Sequence, residues 1–279
     1  MNHPTAPSLS PPLLDLEAIP NPALKAALAI AGPFIKRWLA VDDLNDVHHQ
    51  LVMKGTSETM FSRLLEILGC RYEVSTRDLD HLPASGPVVV VSNHPLGGLD
   101  GIILGDMLRQ RRLDTRLMAN FLLKKVRYSE DHMFFVDPFS GDESVRANLI
   151  GLRDCLRHLR KGGLLGVFPS NSVSHFQWDK KRICDPDWVP NIASLIRRTS
   201  AAVVPVFIEG GNSTLFNIAG TVHPLLRTVM LPRELFRKAR AAEPVKLHIG
   251  KAIGFGELKG FTDDGEMMSY LRSAAYRMG

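Results

Sequence analysis

The stretch that most constrains the fold is PVVVVSNHPLGGLDGII, residues 87–103. Four consecutive valines favour a strand, because branching at Cβ suits a pleated backbone. An uninterrupted apolar run further marks a strand covered on both faces. Covering both faces takes helices on either side of a sheet, so this segment selects an α/β architecture. Ser92, Asn93, His94 and Pro95 end the run abruptly. Gly97 and Gly98 permit backbone angles that other residues resist, and Asp100 stands at the start of the next helix. An imidazole and a carboxylate thereby reach the carboxyl end of a strand, where open α/β sheets bind ligands.

Two readings of that pair follow from the residues. Asp100 can simply cap the helix, with His94 a satisfied turn residue. Alternatively, Asp100 fixes the tautomer of His94, whose free nitrogen then takes a proton from an attacking hydroxyl or amine. Asn, Pro and two glycines placed between and around the pair favour the second reading.

Along the rest of the chain, residues 1–20 are polar and proline-rich and read as a loose arm. Asn21 and Pro22 make a helix start, and ALKAALAIAGPFIKRWLA (23–40) is an apolar helix with Pro33 as its kink. It suits either a core position or a membrane interface, with Trp38 at headgroup level beside Lys36 and Arg37. Asp42–Gly69 reads as one or two helices, in which the adjacent His48 and His49 face different ways. Arg71–Val74 is an edge strand. Further strands are expected at Thr115–Ala119, at Met133–Phe139 (buried and short), and at Leu164–Phe168, Val203–Ile208 and Val245–Ile249. Helices are expected from Asp100 to about Gln110, at Asp142–Arg160 and at Glu266–Met278. The alternation gives a central mixed, largely parallel sheet flanked by helices, with a helical N-terminal segment. The division expected is 1–40 as arm and interfacial or core helix, and 41–279 as one catalytic domain.

SNHPLGGLDGI resembles the first motif of the glycerolipid acyltransferases, and is most similar to their hemolysin-like and lyso-ornithine-lipid acyltransferase branch. The family pattern is His, four residues, Asp; here five residues separate His94 from Asp100, and the Gly97–Gly98 turn has to absorb the extra one. The likeness spans residues 40 to 260. FFVDP (134–138) stands at the second motif, with Asp137 retained and Pro138 where an arginine is usual. FPSNSVS (168–174) stands at the third, usually Phe-Pro-Glu-Gly-Thr-Arg-Ser. Pro169 and Ser174 match, while Ser170, Asn171, Ser172 and Val173 differ. VVPV (203–206) resembles the fourth, with Pro205 shaping the pocket wall.

The resemblance implies transfer of a fatty acyl group from acyl carrier protein or acyl-CoA to a lysolipid hydroxyl, with His94 and Asp100 as the general-base pair. Asn93, Gly97, Gly98, Asp137, Pro169, Ser170, Asn171, Ser172, Ser174 and Pro205 would line the substrate site. Backbone N–H groups of the Gly97–Gly98 turn or the 168–172 loop would hold the oxyanion, without metal or cofactor. Where family arginines would grip an acceptor phosphate, Pro138 and Val173 donate nothing, which turns the expectation toward a lyso-ornithine-type aminolipid. The alternatives are a lysophosphatidate acyltransferase and a non-catalytic lipid-binding protein on the same scaffold.

Composition narrows the partners. A formal charge of +5 and a pI near 9.2 suit an anionic membrane surface or an acidic carrier protein. No arginine-rich arm or RNA-binding motif is present, which sets nucleic acid aside. Cys70, Cys155 and Cys184 are odd in number and far apart, as in reduced cytoplasmic proteins. The N-terminus lacks a secretory pattern, and no apolar run of spanning length occurs. The expectation is a peripheral protein on the inner face of the cell membrane. No nucleophile elbow, Walker loop or zinc-protease motif competes with this reading.

Overall fold

The computed structural model describes residues 36–136, 142–222 and 224–279, with positions 32 and 34. The helices used below are α1 (Val41–Lys54), α2 (Met60–Leu68), α3 (Gly98–Arg111), α4 (Asp142–Arg160), α5 (Asn191–Thr199), α6 (Thr214–Val222), α7 (Pro224–Ala239) and α8 (Asp264–Tyr276). The strands are β1 (Tyr72–Val74), β2 (Val88–Ser92), β3 (Thr115–Asn120), β4 (Met133–Val136), β5 (Leu164–Val167), β6 (His175–Gln177), β7 (Arg182–Cys184), β8 (Ala202–Ile208) and β9 (Val245–Ile249).

Seven strands form the main sheet in the order β1-β9-β8-β2-β5-β3-β4. The β8–β9 pairing is antiparallel and the other five are parallel, so the sheet is mixed and largely parallel, flanked by helices. β2 lies near its middle, pairing Val88 with Leu164 on one side and with Ala202 on the other. All five of its residues are buried. Because side chains alternate across a strand, Val88 and Val90 enter the core beneath α2 and α3, whereas Val89 and Val91 enter the core beneath α5 and α8. Each buried valine contributes about 1.5–3 kcal/mol, and a one-residue slip would exchange the two sets.

The 42–69 segment forms two helices, α1 and α2, separated by a break at Gly55–Thr59. α2 buries Met60, Phe61, Leu64, Leu65 and Leu68, and it settles on α3 through Gly105. A Cβ at Gly105 would stand 2.6 Å from the Phe61 ring, so the helices meet ring to backbone. His48 is buried, and its Nε2 accepts from the Arg127 N–H at 3.2 Å, whereas His49 is exposed. Burial holds the His48 imidazole below its ordinary pKa.

Several boundaries move. β3 runs on to Asn120, β8 begins at Ala202, and the closing helix spans Asp264–Tyr276 behind an Asp263 N-cap. The strand expected at Met133–Phe139 is β4, Met133–Val136. It is a half-buried edge strand rather than a buried one, since among the described strands it pairs only with β3; positions 137–139 lie outside the described residues. Three features escaped the periodicity: the two-stranded sheet β6–β7, helix α5, and the pair α6–α7 with Pro232 inside α7. A buried carboxylate ties that pair down. Glu234 accepts from the Ser213 N–H (2.8 Å) and hydroxyl (2.6 Å) and from Arg237 (2.8 Å).

Most of the expected 23–40 helix lies outside the described residues. Its end packs on the α6–α7 pair: Leu39 and Val41 share a cluster with Phe216 and Met230, and the Arg233 guanidinium lies 4.8 Å over the Trp38 ring. Among the described residues no helix is long and apolar enough to cross a membrane.

Candidate active site

β2, β5 and β8 are adjacent and parallel, so their carboxyl ends open on the same edge of the sheet. His94 follows β2 there. Its Nδ1 lies 2.9 Å from Oδ2 of Asp100, which is fully buried, whereas the His94 side chain keeps 19% of its exposure. The same carboxylate oxygen accepts the N–H of Leu96 (2.8 Å) and of Gly97 (3.0 Å). Both readings of Asp100 therefore hold at once: it is the third helical residue of α3, it reaches back to the helix start, and it also holds the histidine. Gly97 absorbs the extra residue of the motif with φ 74° and ψ −130°. That conformation disfavours a Cβ, and a Cβ there would stand 2.9 Å from Leu231.

Since a carboxylate only accepts, the neutral imidazole carries its proton on Nδ1, and Nε2 is left with a lone pair. Burial pushes the Asp100 carboxyl above the usual range, while the His94 hydrogen bond and charge and the Leu96 N–H pull it back down. The Phe168 ring stacks on the imidazole, with centroids 4.2 Å apart and planes at 22°. An oriented base with one apolar wall can remove a proton from a hydroxyl brought to Nε2.

The backbone of His94 is held from both directions. Its carbonyl accepts the Ser174 N–H at 2.8 Å, and its N–H donates to Oδ1 of Asp185 at 3.1 Å. Asp185 is fully buried. It also accepts from the Ser174 hydroxyl and, through Oδ2, from Trp188 Nε1 at 3.0 Å. The Tyr276 hydroxyl accepts its N–H, and Arg272 donates to its carbonyl. Sequence reasoning missed Asp185, Trp188, Tyr276 and the stacking of Phe168. The segment Cys184–Trp188 carries no periodicity, and only proximity in space gives its carboxylate a task.

The residues expected to line the site divide in the structure. Asn93 is buried, with its amide nitrogen donating to the Ile208 carbonyl (2.9 Å) and its amide oxygen accepting the Ile208 N–H (2.7 Å). It acts as a splint between β2 and β8. The Gly97 N–H is already given to Asp100, so it is not an oxyanion donor. Gly98 opens α3, where first-turn N–H groups lack an intrahelical acceptor. The buried Ser174 hydroxyl gives its proton to the Asp185 clamp. Pro205 pairs with Val91, three residues before His94, and its carbonyl accepts the Gly250 N–H at 2.8 Å. It sits within the ladder of the sheet.

Pro169 and Ser170 are buried at the foot of the loop. The Pro169 carbonyl accepts the Val189 N–H, and the Ser170 hydroxyl donates to the Ser172 carbonyl at 2.7 Å. Asn171 turns the loop at φ 53°, exposed, while Ser172 is half-buried. Asp137 lies outside the described residues. Among the described residues no His, Cys, Asp and Glu side chains cluster as a metal site would require.

The clamp predicts a stability effect. Asp185→Ala strands three donors, one on His94 itself, and is expected to cost on the order of 3 kcal/mol. Asp185→Asn, which keeps acceptor oxygen, should lose less. Urea unfolding of the two variants checks the order, and equal stability of Asp185→Ala and the parent would contradict it.

Comparison with known proteins gives the family and the fold. The family model described as acyltransferase matches residues 21–278. A lyso-glycine lipid O-acyltransferase of Phocaeicola vulgatus is 25% identical over 285 residues, covering 95% of each chain. Another of that name, from Bacteroides thetaiotaomicron, is 25% identical over 236 residues, 77% of each chain. Among solved structures, the 1-acyl-sn-glycerophosphate (LPA) acyltransferase PlsC of Thermotoga maritima superposes with a TM-score of 0.51. It is 18% identical, with 91% of this chain and 90% of that one covered.

Proposed function

Because the chain belongs to the acyltransferase family, we propose that it moves a fatty acyl group from a thioester to the hydroxyl of a lyso-aminolipid, with His94 and Asp100 as its general-base pair. The observation that carries the reading is the buried Asp100 carboxylate at 2.9 Å from His94 Nδ1, which reserves Nε2 for the acceptor.

His94 Nε2 takes the proton of the acceptor hydroxyl as that oxygen attacks the thioester carbonyl. The C–O bond forms and a tetrahedral oxyanion develops. On collapse the C–S bond breaks, and the thiol leaves with the proton that the imidazolium returns. Asp100 supports the imidazolium in between. The Gly98 and Leu99 N–H groups in the first turn of α3 and the Phe168–Ser172 loop are the donors this scheme gives the oxyanion. Phe168 covers one face of the imidazole and keeps water from it, which strengthens every charge interaction there. Acyl carrier protein or acyl-CoA supplies the thioester as a cosubstrate, and the scheme needs no metal or resident cofactor.

The acceptor class follows from chemistry missing at two motif positions. Arginine grips phosphate because its planar fork donates two bonds at once; Pro138 and Val173 donate none from their side chains. An acceptor without a terminal phosphate, carrying its hydroxyl on an amide-linked acyl chain and an amino acid as headgroup, suits such a site. The two relatives named for lyso-glycine lipid fall in this class. A lyso-ornithine lipid is a second member, equally free of phosphate.

A lysophosphatidate reading has one observation in its favour. Arg227 of α7 is half-buried and close enough to His175, next to the third-motif segment, to act on it electrostatically. The test is direct: present lyso-aminolipid and lysophosphatidic acid at equal concentration with one labelled acyl thioester. Lyso-aminolipid is expected to be acylated at least tenfold faster, an order set by losing one charged hydrogen bond to phosphate. Preference for lysophosphatidic acid, abolished by Arg227→Ala, would replace this reading.

A further inference from the structure

The β6–β7 hairpin projects from the site and inverts the usual placing of side chains. It leaves the body of the protein directly after Ser174 and returns directly at Asp185, the two residues that clamp the His94 backbone. In the antiparallel register Phe176 stands opposite Ile183, and residues directly opposite share a face. Trp178 lies two residues beyond Phe176 and makes an edge contact with its ring, centroids 5.0 Å apart. Cys184, on the other face, is the buried member, whereas Trp178 is 72% and Ile183 51% exposed. An apolar ribbon is thus turned outward beside the site.

Two more observations say what such a ribbon meets. Helix α6 lies beside β6, and its Leu215 and Ile218, three residues apart and so on one face, are exposed as well. The tip of the hairpin is basic on balance: Lys181 in the turn and Arg182 at the start of β7 are exposed against one exposed carboxylate, Asp179, whereas Lys180 pairs with Asp187 at 2.5 Å. Tryptophan and aliphatic side chains flanked by cations suit the headgroup zone of an anionic bilayer. An acidic carrier protein would be met by the cations alone and gives no reason to expose Trp178 and Ile183.

We propose that this outward face of the β6–β7 hairpin is a docking surface for an anionic lipid bilayer. The proposal rests on the reading of the acceptor as a membrane lipid. The hairpin stands on the His94 clamp, and each strand is three residues long, a rise of about 10 Å at 3.3 Å per residue. Docking this face therefore holds the clamp, and the histidine it fixes, close to the lipid surface.

The experiment uses the full chain with sedimenting vesicles of phosphatidylcholine, with and without phosphatidylglycerol. The protein is expected to sediment with the anionic vesicles. Trp178→Ser with Ile183→Ser should lower that partition at least tenfold, the order expected for two large apolar side chains. Lys181→Glu with Arg182→Glu should lower it severalfold and flatten its salt dependence. Turnover of a short-chain, water-soluble acceptor without vesicles should stay unchanged in both variants, which also reports an intact fold. Parental partition of the apolar variant overturns the proposal. So does unchanged vesicle binding with a rate lost only when the donor is acyl carrier protein, which would give the face to that protein. If the parent acylates no lysolipid yet the variants still release the vesicles, the reaction falls and the docking surface stands.

Discussion

Replacing His94 with alanine is expected to lower acyl transfer by about a hundred- to ten-thousandfold, the range general-base catalysis supplies. The loss should fall on kcat, because the imidazole acts on a proton in flight and not on acceptor binding. Folding should be spared. The links that hold this turn run through the His94 backbone, to Asp185 and Ser174, and alanine keeps both. The measurement is steady-state transfer from a thioester, beside urea unfolding of the same sample. A stable variant that keeps most of its rate would remove the histidine from the mechanism.

Asp100→Asn is expected to cost at least a hundredfold, and the site makes this substitution unusually clean. The N–H groups of Leu96 and Gly97 both point at Oδ2, so the amide is compelled to place its oxygen there and its nitrogen away. His94 Nδ1–H then still finds an acceptor and the tautomer is preserved. What disappears is the negative charge that supports the imidazolium. The amide nitrogen lands where Oδ1 now has no partner, a buried unsatisfied donor worth about 1–3 kcal/mol of stability. Asp100→Ala should lose more, since both backbone donors are stranded as well and the imidazole is freed. Rates that order parent, Asn, Ala would support the charge argument. An Asn variant as fast as the parent would reduce Asp100 to a helix cap.

The candidate site was legible where it rests on local chemistry. His94, Asp100 and the glycine turn sit within seven residues after one strand, and neighbours that close in sequence have few ways to avoid meeting. Residues such as Asn93, Ser174 and Pro205 are equally visible in the sequence, but their contacts with the scaffold are not. Each is polar or unusual in backbone, and in one dimension a group that holds the scaffold looks the same as one that holds substrate. Asn93 spans 115 positions to reach Ile208, a separation that no spacing rule anticipates.

The sequence by itself determined the central strand and its two-sided burial, because a run of valines has one low-energy use in a soluble sheet. It determined the parallel α/β character, since short apolar strands separated by helices need crossovers, and it determined the histidine–carboxylate pair. Tertiary structure alone decided the rest. It brought Asp185 from 91 residues away to the His94 N–H, laid Phe168 on the imidazole from the neighbouring strand, and turned the Phe176–Trp178–Ile183 face outward. The physical reason is common to all three. A buried hydrogen bond, a ring stack or an exposed apolar face depends on which strands lie side by side, and the order β8-β2-β5 is fixed by packing across the whole sheet.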